Sequence, residues 1–113
     1  MRHLFADYIQ DILDAIDDID SFVSAIDFDE FAADKKTVHA VVRCLEIIGE
    51  AAKNVPESVK RNYPDVPWRR MAAMRDKLSH EYFGVDESIV WNVATEELPP
   101  LRPLIKKILD ASE

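Results

Sequence analysis

Glycine is scarce in this chain of 113 residues, which has only Gly49 and Gly84. Asn-Gly and Asp-Gly pairs, the usual punctuation of hairpins, are absent. Strand-rich folds are therefore disfavoured, and long helices joined by proline-marked loops are expected. There is one cysteine, Cys44, so no internal disulfide can form; a small core side chain in a reducing cytoplasm is the natural reading. No apolar run approaches the ~20 residues that span a bilayer, and the first residues, Met1 to Asp7, lack a signal-peptide core. The expectation is a single cytoplasmic domain over residues 1–113 with no membrane association. At this length roughly two-thirds of the unfolded surface is buried on folding, enough for a true core.

Positive charge is also short overall: 14 Lys and Arg against 22 Asp and Glu, a net charge of −8. That balance speaks against a polyanion partner until its distribution is considered. Residues 1–34 hold ten acids and one base, residues 35–80 ten bases and five acids, and residues 81–113 seven acids and three bases. The middle segment, at +5, is the part suited to a phosphate backbone. A solvated helix face accounts for it equally well.

What is present is helical rhythm. Phe5, Tyr8, Ile9, Ile12, Leu13, Ile16, Ile19, Val23 and Ile26 recur at the spacing of an amphipathic helix over residues 3–27, with Asp7, Asp11, Asp14, Asp17, Asp18 and Asp20 mostly on the other side. Hard-cation sites need carboxylates converging from a loop, so this acidic stripe reads as a solvated face. Asp27 to Phe31 forms a connector of about one turn, whose two aromatics can plug the end of a bundle. Asp34 is placed to cap a second helix over 35–53. His39, Arg43, Glu46 and Glu50 form a polar line along that otherwise apolar rod, either as an intrahelical Arg43–Glu46 pair or as one wall of a cleft.

One or two turns over 57–62 precede a third helix from Pro67 to about Ser79, burying Trp68, Met71, Ala72 and Leu78, with Pro67 at its first position. Gly84 marks the exit and Asp86 caps the next helix, with Ile89, Val90, Val93 and Leu98 facing inward. Pro99-Pro100 permits a kink or restart before Leu101, Leu104, Ile105, Ile108 and Leu109 continue the apolar face. The pattern specifies an all-α antiparallel four-helix bundle with short accessory helices.

Between the third and fourth helices lies the stretch Met74-Arg75-Asp76-Lys77-Leu78-Ser79-His80-Glu81-Tyr82-Phe83-Gly84. Arg75 and His80 diverge by about 140° on an unbroken helix. One pocket holds both only if the helix ends near His80, or if two chains contribute across a two-fold axis. An imidazole exchanges protons near neutrality, and a guanidinium grips two phosphate oxygens without titrating. Together they suit attack of an RNA 2′-hydroxyl on its adjacent phosphate, a reaction that requires no metal. On spacing alone, a helix-end salt bridge and a capping histidine are the ordinary explanation of the pair.

The signature Arg-x4-His-x-Tyr, here Arg75, His80 and Tyr82, resembles that of the HepT-like branch of the HEPN superfamily. So do Val66-Pro67-Trp68-Arg69, Tyr82 to Asp86, Leu45 to Ala52, and Trp91 with Leu98-Pro99, so that the likeness spans roughly residues 3–110. One departure is Asp76, where Asn or another polar residue often follows the arginine; an acid there can orient Arg75 or partly quench it.

The resemblance implies a HEPN-like bundle forming a two-fold dimer. It further implies a toxin endoribonuclease of a type II toxin–antitoxin pair, metal-independent and without cofactor. In this reading Arg75 and His80 cleave RNA, while Asp76, Glu50 and Arg43 support them or line the cleft. The implied partner is a minimal nucleotidyltransferase antitoxin, which adenylylates the motif tyrosine, matching Tyr82. The alternative is a non-catalytic helical binding module that docks such a nucleotidyltransferase and is modified by it; the net charge of −8 fits that role better.

Overall fold

The structure is a computed structural model that describes residues 4–79 and 86–112, with side chains described through Met74 and again from Asp86. Among the described residues there are seven α-helices and one π-helical turn, and no strand. They are α1 (Phe5–Val23), α2 (Phe28–Ala33), α3 (Lys35–Asn54), α4 (Glu57–Asn62), α5 (Trp68–Ser79), α6 (Glu87–Asn92), the π-turn (Val93–Glu97) and α7 (Leu101–Ala111). No helix among the described residues is long and apolar enough to cross a membrane.

The long helices form where the sequence predicts them. In α1 the residues Ile9, Ile12, Ile16 and Ile19 are buried, while every aspartate of the helix is exposed. Asp7 does more than solvate that face: its carboxylate accepts from the Leu4 N–H at 3.1 Å and closes the first turn. The helix ends at Val23, four residues short of the predicted end, because Asp27 begins a new one. There the Asp27 carboxylate accepts from the Glu30 N–H at 2.8 Å and the Glu30 carboxylate from the Asp27 N–H at 3.1 Å, a reciprocal capping box.

The predicted plug is present, and it has a third member. Phe31 is fully buried, and both it and half-buried Phe28 pack on Trp91, with ring centroids 5.1 and 6.1 Å apart. Asp34 caps α3 as expected, accepting from the Thr37 Oγ1 at 2.7 Å and the Thr37 N–H at 3.3 Å.

α3 is the central rod. It packs most extensively on α5 and nearly as much on α1, and α7 closes against α1. Tyr8 and Asp11 lie beside Ile47 to Asn54 while Asp18 reaches Cys44, so α1 and α3 run antiparallel. Val41, Leu45, Ile48 and Ala52 enter the core from α3, joined by Met71, Val90, Leu98, Ile105 and Ile108. Each fully buried Leu, Ile or Met contributes about 1.5–3 kcal/mol relative to exposure.

The fourth long segment departs from the simple expectation. The predicted inward face included Ile89, yet Ile89 is 40% exposed; Val90, Val93 and Leu98 do face in. The helix also widens into the π-turn, with the Leu98 N–H donating to the Val93 carbonyl at 2.9 Å. The reason lies just beyond. Pro99 and Pro100 have no N–H to give to the carbonyls four residues earlier, so an α-helical ladder cannot continue through them. The wider turn keeps Leu98 buried, and the chain restarts with the Leu101 N–H donating to the Leu98 carbonyl at 2.9 Å.

Candidate active site

α5 carries the candidate arginine, and its placement is built from its first turn. Trp68 is the first residue of the helix, and the Pro67 carbonyl accepts from the Met71 N–H at 3.0 Å. Pro67 thus sits one position earlier than predicted, at the cap, where its missing N–H is equally harmless. The buried Trp68 donates its indole N–H to the Tyr63 carbonyl at 3.1 Å, tying α5 to the end of α4. With Trp68 and Met71 inward, the phase of α5 is set. Arg75 and Asp76 follow on the same helix, which is described as far as Ser79.

His80 and Tyr82 lie outside the described residues, as do the side chains of Arg75 and Asp76. On the far side of the motif, Asp86 caps α6 as predicted. Its Oδ1 accepts from the Ser88 N–H at 3.0 Å, the Ser88 Oγ at 2.6 Å and the Ile89 N–H at 3.3 Å.

The described helices carry two further features. The first is a tie between α5 and the π-turn: Arg70 of α5 pairs with Glu97 of the π-turn at 2.5 Å, and Asn92 Nδ2 donates to the same carboxylate at 3.3 Å. Sequence reasoning missed this tie, since residues 27 apart show no helical spacing. An apolar hollow of about 240 Å³ lies beside it, where Leu45 of α3 meets Ala73, Met74, Ile89 and Val93.

The second feature is a polar depression of about 410 Å³ between α1 and α3. Arg43, Glu46 and Glu50 line it, so three members of the predicted polar line do form a wall; His39, one turn earlier, is not among the lining residues. Arg43 and Glu46 do not form the intrahelical pair, which is absent from the ion pairs of the described residues. The opposite wall, Tyr8 and Asp11, was read from sequence as core and solvated face respectively. Their spacing of three residues on one helix was the available signal; nothing local said which helix they would oppose. Asp11, Glu46 and Glu50 form no metal-holding group, and none of three or more such side chains occurs among the described residues.

On the same helix, α3, Cys44 is buried as predicted. Burial raises its thiol pKa above the ordinary value and the nearby Asp18 charge raises it further, while Arg43 opposes both.

The family model described as "Ribonuclease HepT-like" matches residues 12–108, which include the whole Arg75–Tyr82 stretch. The chain is 49% identical over 108 residues to a Thermococcus cleftensis protein named "Probable ribonuclease HepT", covering 96% of this chain and 98% of that one. It is 44% identical over 102 residues to "Putative RNase MJ0125" of Methanocaldococcus jannaschii, covering 90% and 88% respectively. No solved structure matches it. A helical bundle with the Arg-x4-His-x-Tyr stretch between its third and fourth long segments, matched over nearly its full length, belongs to the HepT-like ribonuclease family.

Proposed function

We propose that this chain is the toxin of a type II toxin–antitoxin pair and cuts RNA internally without a metal. The observation that carries this reading is the family match across residues 12–108, which takes in Arg75, His80 and Tyr82 together. The segment balance of +5 over residues 35–80 supports contact with a phosphate backbone despite the overall charge.

In the proposed reaction the RNA 2′-oxygen attacks the adjacent phosphorus and the bond to the 5′-oxygen breaks. The 2′-hydroxyl gives up its proton and the leaving 5′-oxygen receives one, leaving a 2′,3′-cyclic phosphate and a 5′-hydroxyl. His80 moves protons at these oxygens, since an imidazole exchanges them near neutral pH. Arg75 neutralises the charge that accumulates on the non-bridging oxygens. Asp76, Glu50 and Arg43 are supporting groups that orient these two or line the cleft. A two-fold dimer completes the site by bringing the arginine and histidine of both chains into one cleft; on an unbroken helix one chain's pair would stand about 140° apart.

Tyr82 is the control point. Adenylylation by a nucleotidyltransferase antitoxin would place bulk and negative charge beside the phosphate site and exclude RNA. The second reading, a non-catalytic module that docks the same partner, draws support from the net charge of −8.

The test is cleavage of RNA by purified protein in the presence of a chelator, with mapping of the product ends. Wild type should leave 2′,3′-cyclic phosphates, and Arg75→Ala and His80→Ala should each abolish cleavage with helix content unchanged. Intact mass after co-expression with the nucleotidyltransferase should show an AMP increment that Tyr82→Phe removes. Protein free of that increment that cuts no RNA and arrests no growth would favour the docking module instead.

A further inference from the structure

Arg75, His80 and Tyr82 all lie within the stretch of chain between Arg70 and Glu97, and the pair those two residues form closes that stretch on itself. Its two arms are α5 on one side and α6 with the π-turn on the other. Among the described residues each arm packs chiefly on other elements: α5 on α3, α6 on α2 and α3, and the π-turn on α1. Between the arms lies the hollow of about 240 Å³, lined by Ala73 and Met74 of α5 and by Ile89, Val90 and Val93 of the other arm. A gap of that kind forfeits dispersion contacts across it, so apolar packing alone does not fix how far apart the arms stand.

The polar link is built for that task. Glu97 Oε1 takes Arg70 Nη2 at 2.5 Å and Oε2 takes the Asn92 amide at 3.3 Å, so two groups hold the carboxylate. Asn92 and Glu97 are five residues apart, which on an α-helix is a divergence of about 140°. The π-turn closes on residues five apart, with the Leu98 N–H donating to the Val93 carbonyl at 2.9 Å, and so brings positions 92 and 97 onto one face. Arg70 in turn stands five residues before Arg75 on one helix, about 7.5 Å along its axis.

We propose that Arg70 and Glu97 are positioning residues for RNA cleavage, acting through the helix that bears Arg75; this deepens the ribonuclease reading and rests on it. The pair sets the spacing of the two arms, and with it the place of the Arg75-bearing helix relative to the chain that leads out of the motif. Neither residue touches RNA. Misplacing a catalytic group leaves substrate binding largely intact and slows the chemical step, because the interactions lost are those of the transition state. The expected loss is about fivefold in kcat, equivalent to about 1 kcal/mol, the ceiling for an exposed pair.

The test is cleavage of one oligoribonucleotide by wild type, Arg70→Ala, Glu97→Ala and the double variant, with rates divided by the folded fraction from urea denaturation. Each single variant should lose about fivefold in kcat, with KM and the pH profile unchanged. The double variant should lose no more than either single one, since the two residues act as a unit. A kcat equal to that of wild type in either single variant overturns the proposal. So does a loss confined to KM, which would put Arg70 on the RNA backbone, and so do losses that multiply to about twenty-fivefold in the double variant. If wild type cuts no RNA, the ribonuclease reading fails. Amide hydrogen exchange over residues 75–79 then judges the tie: faster exchange in Glu97→Ala than in wild type upholds its hold on that turn, and equal rates overturn it.

Discussion

Arg70 Nη2 lies 2.5 Å from Glu97 Oε1, joining the helix that carries Arg75 to the π-turn on the far side of the motif. Asn92 holds the second oxygen of the same carboxylate, so α5, α6 and the π-turn meet at one group. The tie is lopsided in exposure: the Arg70 side chain is 68% accessible and that of Glu97 24%. Exposed pairs of this kind are worth up to about 1 kcal/mol. In a double-mutant cycle of Arg70→Ala and Glu97→Ala by urea denaturation, the coupling should not exceed that value. A larger coupling would mean that the tie holds the two helices together rather than trimming their surface.

Phe31 has no exposed surface and its ring packs on Trp91. Phe31→Ala should destabilise the fold by about 3–5 kcal/mol, because the short helix α2 cannot collapse into the space left. The measurement is the urea midpoint followed by far-ultraviolet circular dichroism, with the tryptophan emission of the variant shifting toward that of wetter surroundings. A loss below about 1 kcal/mol would show that the plug is dispensable.

The Cys44 thiol is shielded, and its pKa is raised by burial and then by Asp18. Native protein at pH 8 should react with iodoacetamide far more slowly than unfolded protein, since the thiolate is the reacting species. Asp18→Asn removes the charge that adds to the effect of burial and should speed labelling relative to wild type. Labelling of the native protein at the unfolded rate would contradict the burial.

Asp34 caps α3, and its carboxyl is held below the ordinary value of 3.8, chiefly by the Thr37 hydroxyl and then by the Thr37 N–H. A lowered pKa in the folded state adds stability above the unfolded value and loses it as pH falls through the folded one. Asp34→Ala should therefore lower Tm at pH 7, and the gap from wild type should narrow as pH drops below 3.8. Thermal melts across that range check it; a gap constant with pH would assign the effect to helix propensity instead.

Periodicity made the helices legible. Isoleucines three and four apart in α1, the Asp34 and Asp86 caps, and prolines at 56, 67 and 99–100 placed most helix starts and stops within a few residues. Sequence reasoning failed where a partner's geometry decided. Ile89 follows the apolar rhythm yet stays 40% exposed, lining the hollow beside Ala73 and Met74 instead of entering the core. The wall formed by Arg43, Glu46 and Glu50 was visible as a line on one helix, whereas its facing partners, Tyr8 and Asp11, were not. The chemistry proposed for Arg75, His80 and Tyr82 rests on the motif and the family match, and the side chains of Arg75, His80 and Tyr82 fall outside the described residues.

The residue order alone determined the helical class, the principal caps and the family, because propensity, capping and motif spacing act within a few positions of one chain. Only the tertiary structure decided that Arg70 meets Glu97, that Trp91 completes the plug and that α1 supplies the second side of the polar depression. Those contacts join residues tens of positions apart, and their existence depends on how the helices are packed and phased against one another, which no local pattern encodes.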